Sequence, residues 1–312
     1  MNKIKGMTFA PFCNRGVFYK EETKKSLRIM KERTGADTVI FAPNGIQKNA
    51  HSTEIAYKGE HNVEDDELKE MIVYAQNLGL KVALKPTVNC EDGTWRAFIS
   101  FFHKDVPCEP KWSEWFASYT EFQLHYARIA EEMKCDMFIA GCEMVMTEYR
   151  ESEWRELIKQ IRKVYHGIVS YNTDKYQEDH VAWWDDVDVI SSSGYYPEDD
   201  WENQLDRIEK VVKKFQKPFF FAEAGCMSTS GSGLVPNDWE VTGETDLEEQ
   251  KEWYEKALTA MKKREWVDGV VFWSWNANLY KEEDAEKDRF YEIYAKPAEQ
   301  VVREYFVEQS EV

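Results

Sequence analysis

Short apolar runs alternate with longer amphipathic segments along the whole chain. The short runs predict eight strands, at residues 4–9, 38–42, 81–87, 137–140, 168–171, 187–192, 218–222 and 269–273. The longer segments predict seven helices, at residues 22–33, 65–77, 113–132, 151–164, 201–215, 247–263 and 298–306. In the second of these helices the apolar residues recur at helical spacing on one face: Leu68, Met71, Ile72 and Ala75. Strands and helices in regular alternation are typical of βα units.

Eight strands over 312 residues favour an α/β fold of the closed (β/α)8 TIM barrel type. An open dinucleotide-binding sheet would need G-x-G-x-x-G after its first strand, and here that turn reads APFCNRG. The stretch STSGSGLVP at 228–236 has no helix start close behind it, so it predicts a mobile loop rather than a phosphate site. Residues 179–186 allow at most a short helix. Because no linker or repeat divides the chain, we expect residues 1–312 to form one barrel domain.

Composition restricts the partners and cofactors. Lys and Arg number 40 against 58 Asp and Glu, a net charge of −18, which argues against a nucleic acid partner because phosphate binding needs a cationic surface. The six cysteines form no C-x-x-C pair and the six histidines show no ligand spacing, so we expect no metal and no other cofactor.

The sequence also lacks the signals of membrane insertion and export. Nowhere do about 18 apolar residues run uninterrupted, and the first residues, MNKIKGMTFAPF, lack the apolar stretch of an export signal. We therefore expect no membrane association and a cytoplasmic location, or a secreted protein if such a signal has been removed. The oligomeric state is open.

Candidate functional residues follow the predicted strands. In a barrel of this kind the active site forms at the carboxyl ends of the strands. Those ends deliver Lys85, Asn89, Trp95, Arg96, Glu143, Tyr195, Tyr196, Glu223, Trp273 and Trp275. Two of these residues are glutamates that end apolar runs, in FIAGCE and FFFAE. A carboxylate does not contribute to apolar packing, so packing alone does not explain either glutamate.

Two carboxylates among aromatic and cationic side chains match the needs of glycoside hydrolysis. One carboxylic acid protonates the glycosidic oxygen, while a second carboxylate attacks the anomeric carbon or activates a water. Aromatic faces suit the C–H side of a sugar ring. A single glutamate after a strand would equally suit a structural salt bridge, so the pairing of Glu143 with Glu223 carries the hypothesis. Retention requires carboxyl groups about 5–5.5 Å apart, whereas inversion requires about 6.5–9.5 Å.

Specific motifs extend over essentially the whole chain: GMTFAPF, LKP followed by N and GTWR, GCE, YYP, FAEAG and FWSW. Through them the sequence resembles glycoside hydrolase family 113, the clan A family of β-mannanases. The resemblance implies retaining cleavage of β-1,4-mannosidic bonds in mannan or manno-oligosaccharides, with Glu143 as acid/base and Glu223 as nucleophile. It also implies that Tyr195 hydrogen-bonds the nucleophile and that Trp273 forms the floor of the subsite for the sugar being cleaved.

One position departs from the wider clan. Most clan A members carry Asn immediately before the acid/base, where its amide engages the sugar 2-hydroxyl, and here that residue is Cys142. A thiol is a poor substitute for an amide donor. We therefore expect Asn89 or Arg96 to take this role.

Several alternatives stay open from the residues alone. Trp95, Trp275 and Tyr196 would each suit either core packing or a sugar platform, and Lys85 either a structural ion pair or a substrate contact. Lys85 would also suit the Schiff-base nucleophile of an aldolase, although that leaves the two glutamates without a role. A non-catalytic saccharide-binding barrel would keep the aromatic residues. A clan A hydrolase acting on xylan or glucan is a further alternative, because these sugars differ from mannose by one hydroxyl or hydroxymethyl group.

Overall fold

The computed structural model describes residues 3–309, in which eight parallel strands close into a barrel. In chain order the strands are β1 (Ile4–Phe9), β2 (Thr38–Phe41), β3 (Asn44–Gln47), β4 (Lys81–Leu84), β5 (Thr87–Cys90), β6 (Met137–Cys142), β7 (Ile168–Thr173), β8 (Val189–Ser193), β9 (Phe219–Glu223) and β10 (Val267–Trp275). The barrel order is β1-β10-β9-β8-β7-β6-β4-β2, closed by the pairing of β1 with both β2 and β10. The predicted (β/α)8 TIM barrel is confirmed.

The α-helices of the same residues surround the barrel as α1 (Glu21–Thr34), α2 (Asp65–Asn77), α3 (Trp112–Glu132), α4 (Glu151–Ile161), α5 (Trp201–Phe215), α6 (Leu247–Lys262) and α7 (Pro297–Glu308). Helices α2 and α5 have the predicted bounds. Helix α1 ends before Gly35, whose φ of 73° is the left-handed conformation that suits glycine after a helix. Within residues 3–309, none of the helices combines the length and the apolar character needed to span a bilayer.

Proline interrupts two barrel strands. The sequence predicts one strand at 81–87, but β4 ends at Leu84 and the chain resumes as β5 after Pro86. Pro43 separates β2 from β3 in the same way. Proline has no backbone N–H to donate in a sheet. At each of these prolines the chain therefore leaves the barrel, and it continues as β3 or β5 in a small parallel sheet. The sequence did not predict this outer sheet, which carries Asn89 to the mouth of the barrel.

An apolar plug fills the barrel interior. It consists of Ile4, Ile40, Ala83, Met137, Ile139, Val189, Phe220, Ala222 and Val271. A second, larger apolar layer lies between the barrel and the helices, and along β9 Phe219 and Phe221 belong to that outer layer while Phe220 belongs to the plug. At the carboxyl ends of the strands the interior turns polar, with Asn172 and Glu223 both buried. The functional site begins at this transition.

The glycine-rich stretch at 228–236 is held against α6. The backbone N–H groups of Gly231 and Gly233 donate to the two carboxylate oxygens of Glu249, at 2.9 and 2.7 Å. A bridge pairs Thr229 with Thr245. These two amides therefore bind a carboxylate of the chain itself, and the predicted mobility of the loop stays a prediction.

Candidate active site

A cavity of about 860 Å³ opens at the carboxyl ends of the barrel strands. Both glutamates singled out from the sequence line it: Glu143 directly follows β6, and Glu223 ends β9. The other lining residues are Phe12, Asn89, Cys90, Gly93, Thr94, Trp95, Arg96, Asp174, Lys175, Tyr195, Val235, Asn237, Asp238, Trp239, Glu240 and Trp273. The folded chain thus brings the two carboxylates to one concave, partly aromatic site.

The end of β6 bends to aim Glu143 into the cavity. Gly141 has a φ of 104° and Glu143 a φ of 54°, and the pairing of β6 with β7 shifts register between Ile139 and Cys142. A Cβ atom at position 141 would overlap the Tyr119 hydroxyl. Glycine is therefore required at the bend, which accounts for a small residue shortly before the carboxylate in FIAGCE.

Glu223 lies in a cationic and hydrogen-bonding environment. Its Oε1 forms a buried ion pair with Lys85 Nζ and accepts from the Cys142 thiol at 3.2 Å, and its Oε2 accepts from the Tyr195 hydroxyl at 3.0 Å. Burial acts to raise the pKa of Glu223, but the charge and hydrogen bond of Lys85, helped by Arg96, lower it on balance. Glu223 is consequently held as an anion.

The other two donors to Glu223 stay protonated. Burial, together with the neighbouring Glu223 carboxylate, raises the pKa of the Cys142 thiol well above its ordinary value. The same two causes raise the pKa of the Tyr195 hydroxyl. Each residue therefore offers its proton to Glu223, and Cys142 faces the carboxylate as a hydrogen-bond donor.

Glu143 is bound mainly by neutral donors and one guanidinium. Its Oε2 accepts from Trp95 Nε1 and from Arg96 Nη1, both at 3.2 Å. Its Oε1 accepts from the Ser193 hydroxyl at 2.7 Å. Glu143 is 7% exposed, whereas Trp95 is 39% exposed and stands at the rim of the cavity.

The two carboxylates face one another. One oxygen of Glu143, one oxygen of Glu223 and the sulfur of Cys142 all lie within 4.8 Å of one another. Such donors would suit a metal ion, but Lys85 and Arg96 already neutralise the two carboxylates. The geometry therefore fits a catalytic carboxylate pair better than a ligand set.

A buried chain of hydrogen bonds connects the two glutamates. Besides its ion pair with Glu223, Lys85 Nζ donates to Asn172 Oδ1 at 3.3 Å. Asn172 Nδ2 donates to Ser193 Oγ at 3.0 Å, and Ser193 in turn donates to Glu143. Asn172 and Ser193 were not among the residues predicted from the sequence, although polar residues at strand ends, in SYNT and SSS, are a usable signal.

Five of the predicted substrate-binding residues line the cavity: Asn89, Trp95, Arg96, Tyr195 and Trp273. Substrate contact by each of them stays a prediction. Asn89, expected as a possible donor to the sugar, donates to Asn44 Oδ1 at 2.7 Å. Lys85 does not line the cavity, because its side chain is fully buried beneath Glu223. In the structure Lys85 forms an ion pair with Glu223 and is not available for contact with substrate.

Trp275 and Tyr196 require a correction, since neither lines the cavity. Trp275 is 1% exposed and donates to Ser26 Oγ at 3.1 Å, because a register shift between β10 and β1 turns it toward α1. Tyr196 is fully buried and donates to Glu178 Oε1. It follows Tyr195, and consecutive side chains in extended chain point to opposite sides. Both residues pack between the barrel and the helices.

Several cavity residues carried no strong sequence signal. Phe12 follows β1 and lies 5.6 Å from the Trp273 ring centroid. Trp239 lies in the loop after β9, 6.2 Å from the same ring. Asp174 and Lys175 directly follow β7. Phe12, Asp174 and Lys175 could have been found from their positions after strands, whereas nothing in the neighbouring sequence marks Trp239.

The sequence and the fold both match a known family. The sequence model of Glycoside Hydrolase Family 113 matches residues 7–296. Two solved structures of GH113 β-1,4-mannanase, one a complex, each show 55% identity and a TM-score of 0.97, with coverage of 98% of this chain and 99% of theirs. The GH113 β-mannanase AaManA from Alicyclobacillus acidocaldarius, in complex with ManMIm, shows 41% identity and a TM-score of 0.95, with coverage of 99% and 98%. No curated protein matches the sequence.

More distant structures share the fold alone. A β-glucuronidase from Ruminococcus gnavus aligns at 13% identity and a TM-score of 0.67, over 97% of this chain and 50% of its own. The family match, in contrast, spans Glu143, Glu223 and all the other residues that line the cavity. The chain therefore belongs to Glycoside Hydrolase Family 113.

Proposed function

We propose that this protein is a retaining β-1,4-mannanase that cleaves mannan or manno-oligosaccharides by double displacement. The observation that carries the proposal is the approach of the Glu143 and Glu223 carboxylates, with oxygens within 4.8 Å, inside one cavity. That spacing is closer to the separation of about 5–5.5 Å that retention requires than to the roughly 6.5–9.5 Å that inversion requires. The similar solved structures named as β-1,4-mannanases support the choice of sugar.

In the first step, Glu223 attacks the anomeric carbon. Lys85, Cys142 and Tyr195 hold this carboxylate in its ionised form and orient it. Glu143, protonated, gives its proton to the glycosidic oxygen as the bond to the leaving sugar breaks. The products of this step are a glycosyl ester on Glu223 and a free leaving sugar.

In the second step, Glu143 acts as a base. Now ionised, it takes a proton from a water whose oxygen attacks the anomeric carbon, and the ester bond to Glu223 breaks. Arg96 and Trp95 orient the Glu143 carboxylate in this step through their hydrogen bonds to Oε2. One residue thus serves as acid and then as base.

The alternatives fit the site less well. Lys85 is fully buried in an ion pair with Glu223, so it lacks the accessible amine that a Schiff-base aldolase needs. A non-catalytic saccharide-binding barrel has no use for two facing carboxylates. A clan A hydrolase acting on xylan or glucan remains the second candidate, because Trp273 and the other aromatics of the cavity do not distinguish the sugars.

The test is a substrate panel with stereochemical analysis. Mannobiose through mannohexaose and polymeric mannan should be cleaved, xylo- and cello-oligosaccharides should not, and NMR should detect the β-anomer first. Glu223→Ala should lose turnover and recover it with azide as the α-glycosyl azide, whereas Glu143→Ala should yield the β-glycosyl azide with an activated substrate. Release of the α-anomer first, or preferential cleavage of xylan or glucan, would contradict the proposal.

A further inference from the structure

Glu143 has a backbone conformation that its surroundings must hold. Its φ of 54° lies in the left-handed region, which is unfavourable for a residue with a side chain. The backbone N–H of Glu143 donates to the Asn172 carbonyl at 2.8 Å. The next backbone N–H, that of Met144, donates to the Tyr171 hydroxyl at 3.1 Å. Both peptide groups that flank the Glu143 side chain are therefore fixed to β7, one through its backbone and one through a side chain.

The Tyr171 hydroxyl is itself oriented by a buried carboxyl group. It donates to Oε1 of Glu148 at 2.7 Å, and the Thr173 hydroxyl donates to the same oxygen at 2.6 Å. A phenol has one proton to donate and keeps its oxygen lone pairs as acceptors. Because that proton is directed to Glu148, the lone pairs of Tyr171 remain for the Met144 N–H. Glu148 therefore determines which way the hydroxyl group faces.

These side chains lie behind the barrel wall and not in the cavity. Tyr171 belongs to the apolar layer between the barrel and the helices, with its ring centroid 4.8 and 4.9 Å from those of Trp154 and Trp183. Trp183 Nε1 also donates to the Glu148 carbonyl at 3.1 Å. Tyr171 and Glu148 are 0% and 3% exposed, and neither lines the cavity. An effect of either residue on the reaction is therefore exerted through another residue and not by contact with the substrate.

We propose that Glu148 and Tyr171 are positioning residues for proton transfer by Glu143. Glu148 orients the Tyr171 hydroxyl, and that hydroxyl holds the Met144 amide. The amide in turn fixes the left-handed turn that aims the Glu143 carboxyl at the glycosidic oxygen. The short segment from Glu143 to Glu148 thus carries both the acid/base and the group that positions it. This inference rests on the proposed function, since it assumes that Glu143 protonates the leaving sugar.

The inference is tested with two substrates whose leaving groups differ in their need for a proton. Mannotetraose releases a sugar and requires general acid catalysis, whereas a 2,4-dinitrophenyl β-mannobioside releases a phenolate that leaves without protonation. In Tyr171→Phe and in Glu148→Met, kcat/KM for mannotetraose should fall by about tenfold or more, part of the roughly 10²–10⁴-fold that a positioned general acid contributes. The kcat/KM for the aryl glycoside should stay within about twofold of wild type, because attack by the nucleophile is unchanged.

Two matched variants separate positioning from a loss of packing. Glu148→Gln keeps an oxygen that accepts from Tyr171 and Thr173, so its kcat/KM for mannotetraose should lie within about threefold of wild type. Tyr165→Phe removes another buried tyrosine hydroxyl, one that donates to the Cys135 carbonyl at 2.8 Å just before the amino end of β6. Tyr165→Phe should leave the rates with both substrates unchanged. Urea unfolding of each variant establishes that it is folded under the assay conditions.

A Glu143→Ala variant separates the two proposals. It should itself lose far more kcat/KM with mannotetraose than with the aryl glycoside, and equal losses would contradict the proposed function, because Glu143 would then not be the proton donor. If Glu143→Ala shows this preference but Tyr171→Phe and Glu148→Met do not, the positioning role is overturned while the proposed function stands. A Glu148→Gln variant as impaired as Glu148→Met would also overturn the positioning role, because the accepting oxygen would then not be what matters.

Discussion

At the scale of single residues, the two carboxylates differ in what neutralises them. Glu223 pairs with a fully buried lysine and accepts two further hydrogen bonds, from a thiol and a phenol. Glu143 accepts from an indole, a hydroxyl and a guanidinium. A nucleophile must be ionised throughout the approach of substrate, whereas an acid/base must change its protonation state within each cycle. The fully buried lysine lies beside Glu223, the proposed nucleophile.

Lys85→Met should shift the acid limb of the pH–rate profile. Lys85 is the main cause that lowers the pKa of Glu223, and activity is lost as pH falls through that pKa. Without the lysine, burial raises this pKa, so the acid limb of kcat/KM should move to higher pH. Activity at neutral pH should also fall, and the protein should lose ~3–5 kcal/mol of stability, the cost of breaking a buried pair.

Lys296→Met provides the matched comparison for Lys85→Met. The Lys296 side chain is also fully buried and pairs with an aspartate, Asp288, at 2.6 Å. Both variants should be destabilised, but the acid limb should move only when Lys85 is lost. An unmoved limb in Lys85→Met would show that the ion pair has only a structural role.

Ser193→Ala should reduce turnover by about tenfold or more. The Ser193 hydroxyl donates to Glu143 at 2.7 Å, and a hydrogen bond to a charged group contributes ~1.5–3 kcal/mol. Ser191→Ala is the control on the same strand: Ser191 is equally buried and donates to the Tyr171 carbonyl at 2.8 Å, away from Glu143. Equal losses of kcat in the two variants would mean that β8 packing, not the bond to Glu143, is responsible.

At the scale of secondary-structure elements, irregularities at strand ends position the site. Strand β6 bends at Gly141, β10 shifts register beside β1, and proline ends β2 and β4 early. Each irregularity turns a side chain that strict alternation would direct elsewhere. As a result Glu143 enters the cavity while Trp275 leaves it.

Gly141→Ala should destabilise the protein and impair catalysis together. A side chain at this position requires an unfavourable φ and overlaps the Tyr119 hydroxyl. In Gly16→Ala, where φ is 82° and open space surrounds the added Cβ, only the backbone cost applies. Urea unfolding should show Gly141→Ala to be less stable than Gly16→Ala by about 1–3 kcal/mol, with reduced kcat only in the former. Equal stabilities would show that Tyr119 moves aside without cost.

At the scale of the whole molecule, burying acids inside a chain of net charge −18 makes stability depend on pH. Glu148 is 3% exposed and accepts from the Tyr171 and Thr173 hydroxyls at 2.7 and 2.6 Å. Burial raises the pKa of Glu148 to about 8. In the unfolded chain a glutamate titrates near ~4.3. Between these values the unfolded state loses a proton that the folded state keeps, so folding stability falls as pH rises.

Glu148→Gln should remove this pH dependence. The free energy of unfolding of the variant, measured by urea titration, should gain on the wild type between pH 5.5 and 7.5, with a slope of up to ~1.4 kcal/mol per pH unit. Glu131→Gln is the control, because hydrogen bonds from Lys134 and His166 lower the pKa of Glu131 to about 2. That carboxylate is ionised in both states across the window, so its variant should show a flat difference. A flat difference for Glu148→Gln would contradict the buried-acid account.

Local patterns determined most of the elements. The bounds of α2 and α5 and the β1 strand follow from the spacing of apolar residues, because burial of one face needs a fixed period. The same patterns placed Glu143 and Glu223 at strand ends, where a barrel of this type forms its active site. They did not predict β3 and β5, which directly follow Pro43 and Pro86 and form a separate two-stranded sheet outside the barrel.

By itself, the sequence of this protein determined that strands and helices alternate, that two glutamates terminate apolar strands, and that the motifs are those of one hydrolase family. Only the tertiary structure decided which of two neighbouring aromatic residues enters the cavity, which cation lies under Glu223, and how Asn172 and Ser193 connect the two carboxylates. The physical reason is that periodicity records local burial, whereas the distance between strand ends far apart in sequence is set by closure of the barrel and by the bends at Gly141 and β10.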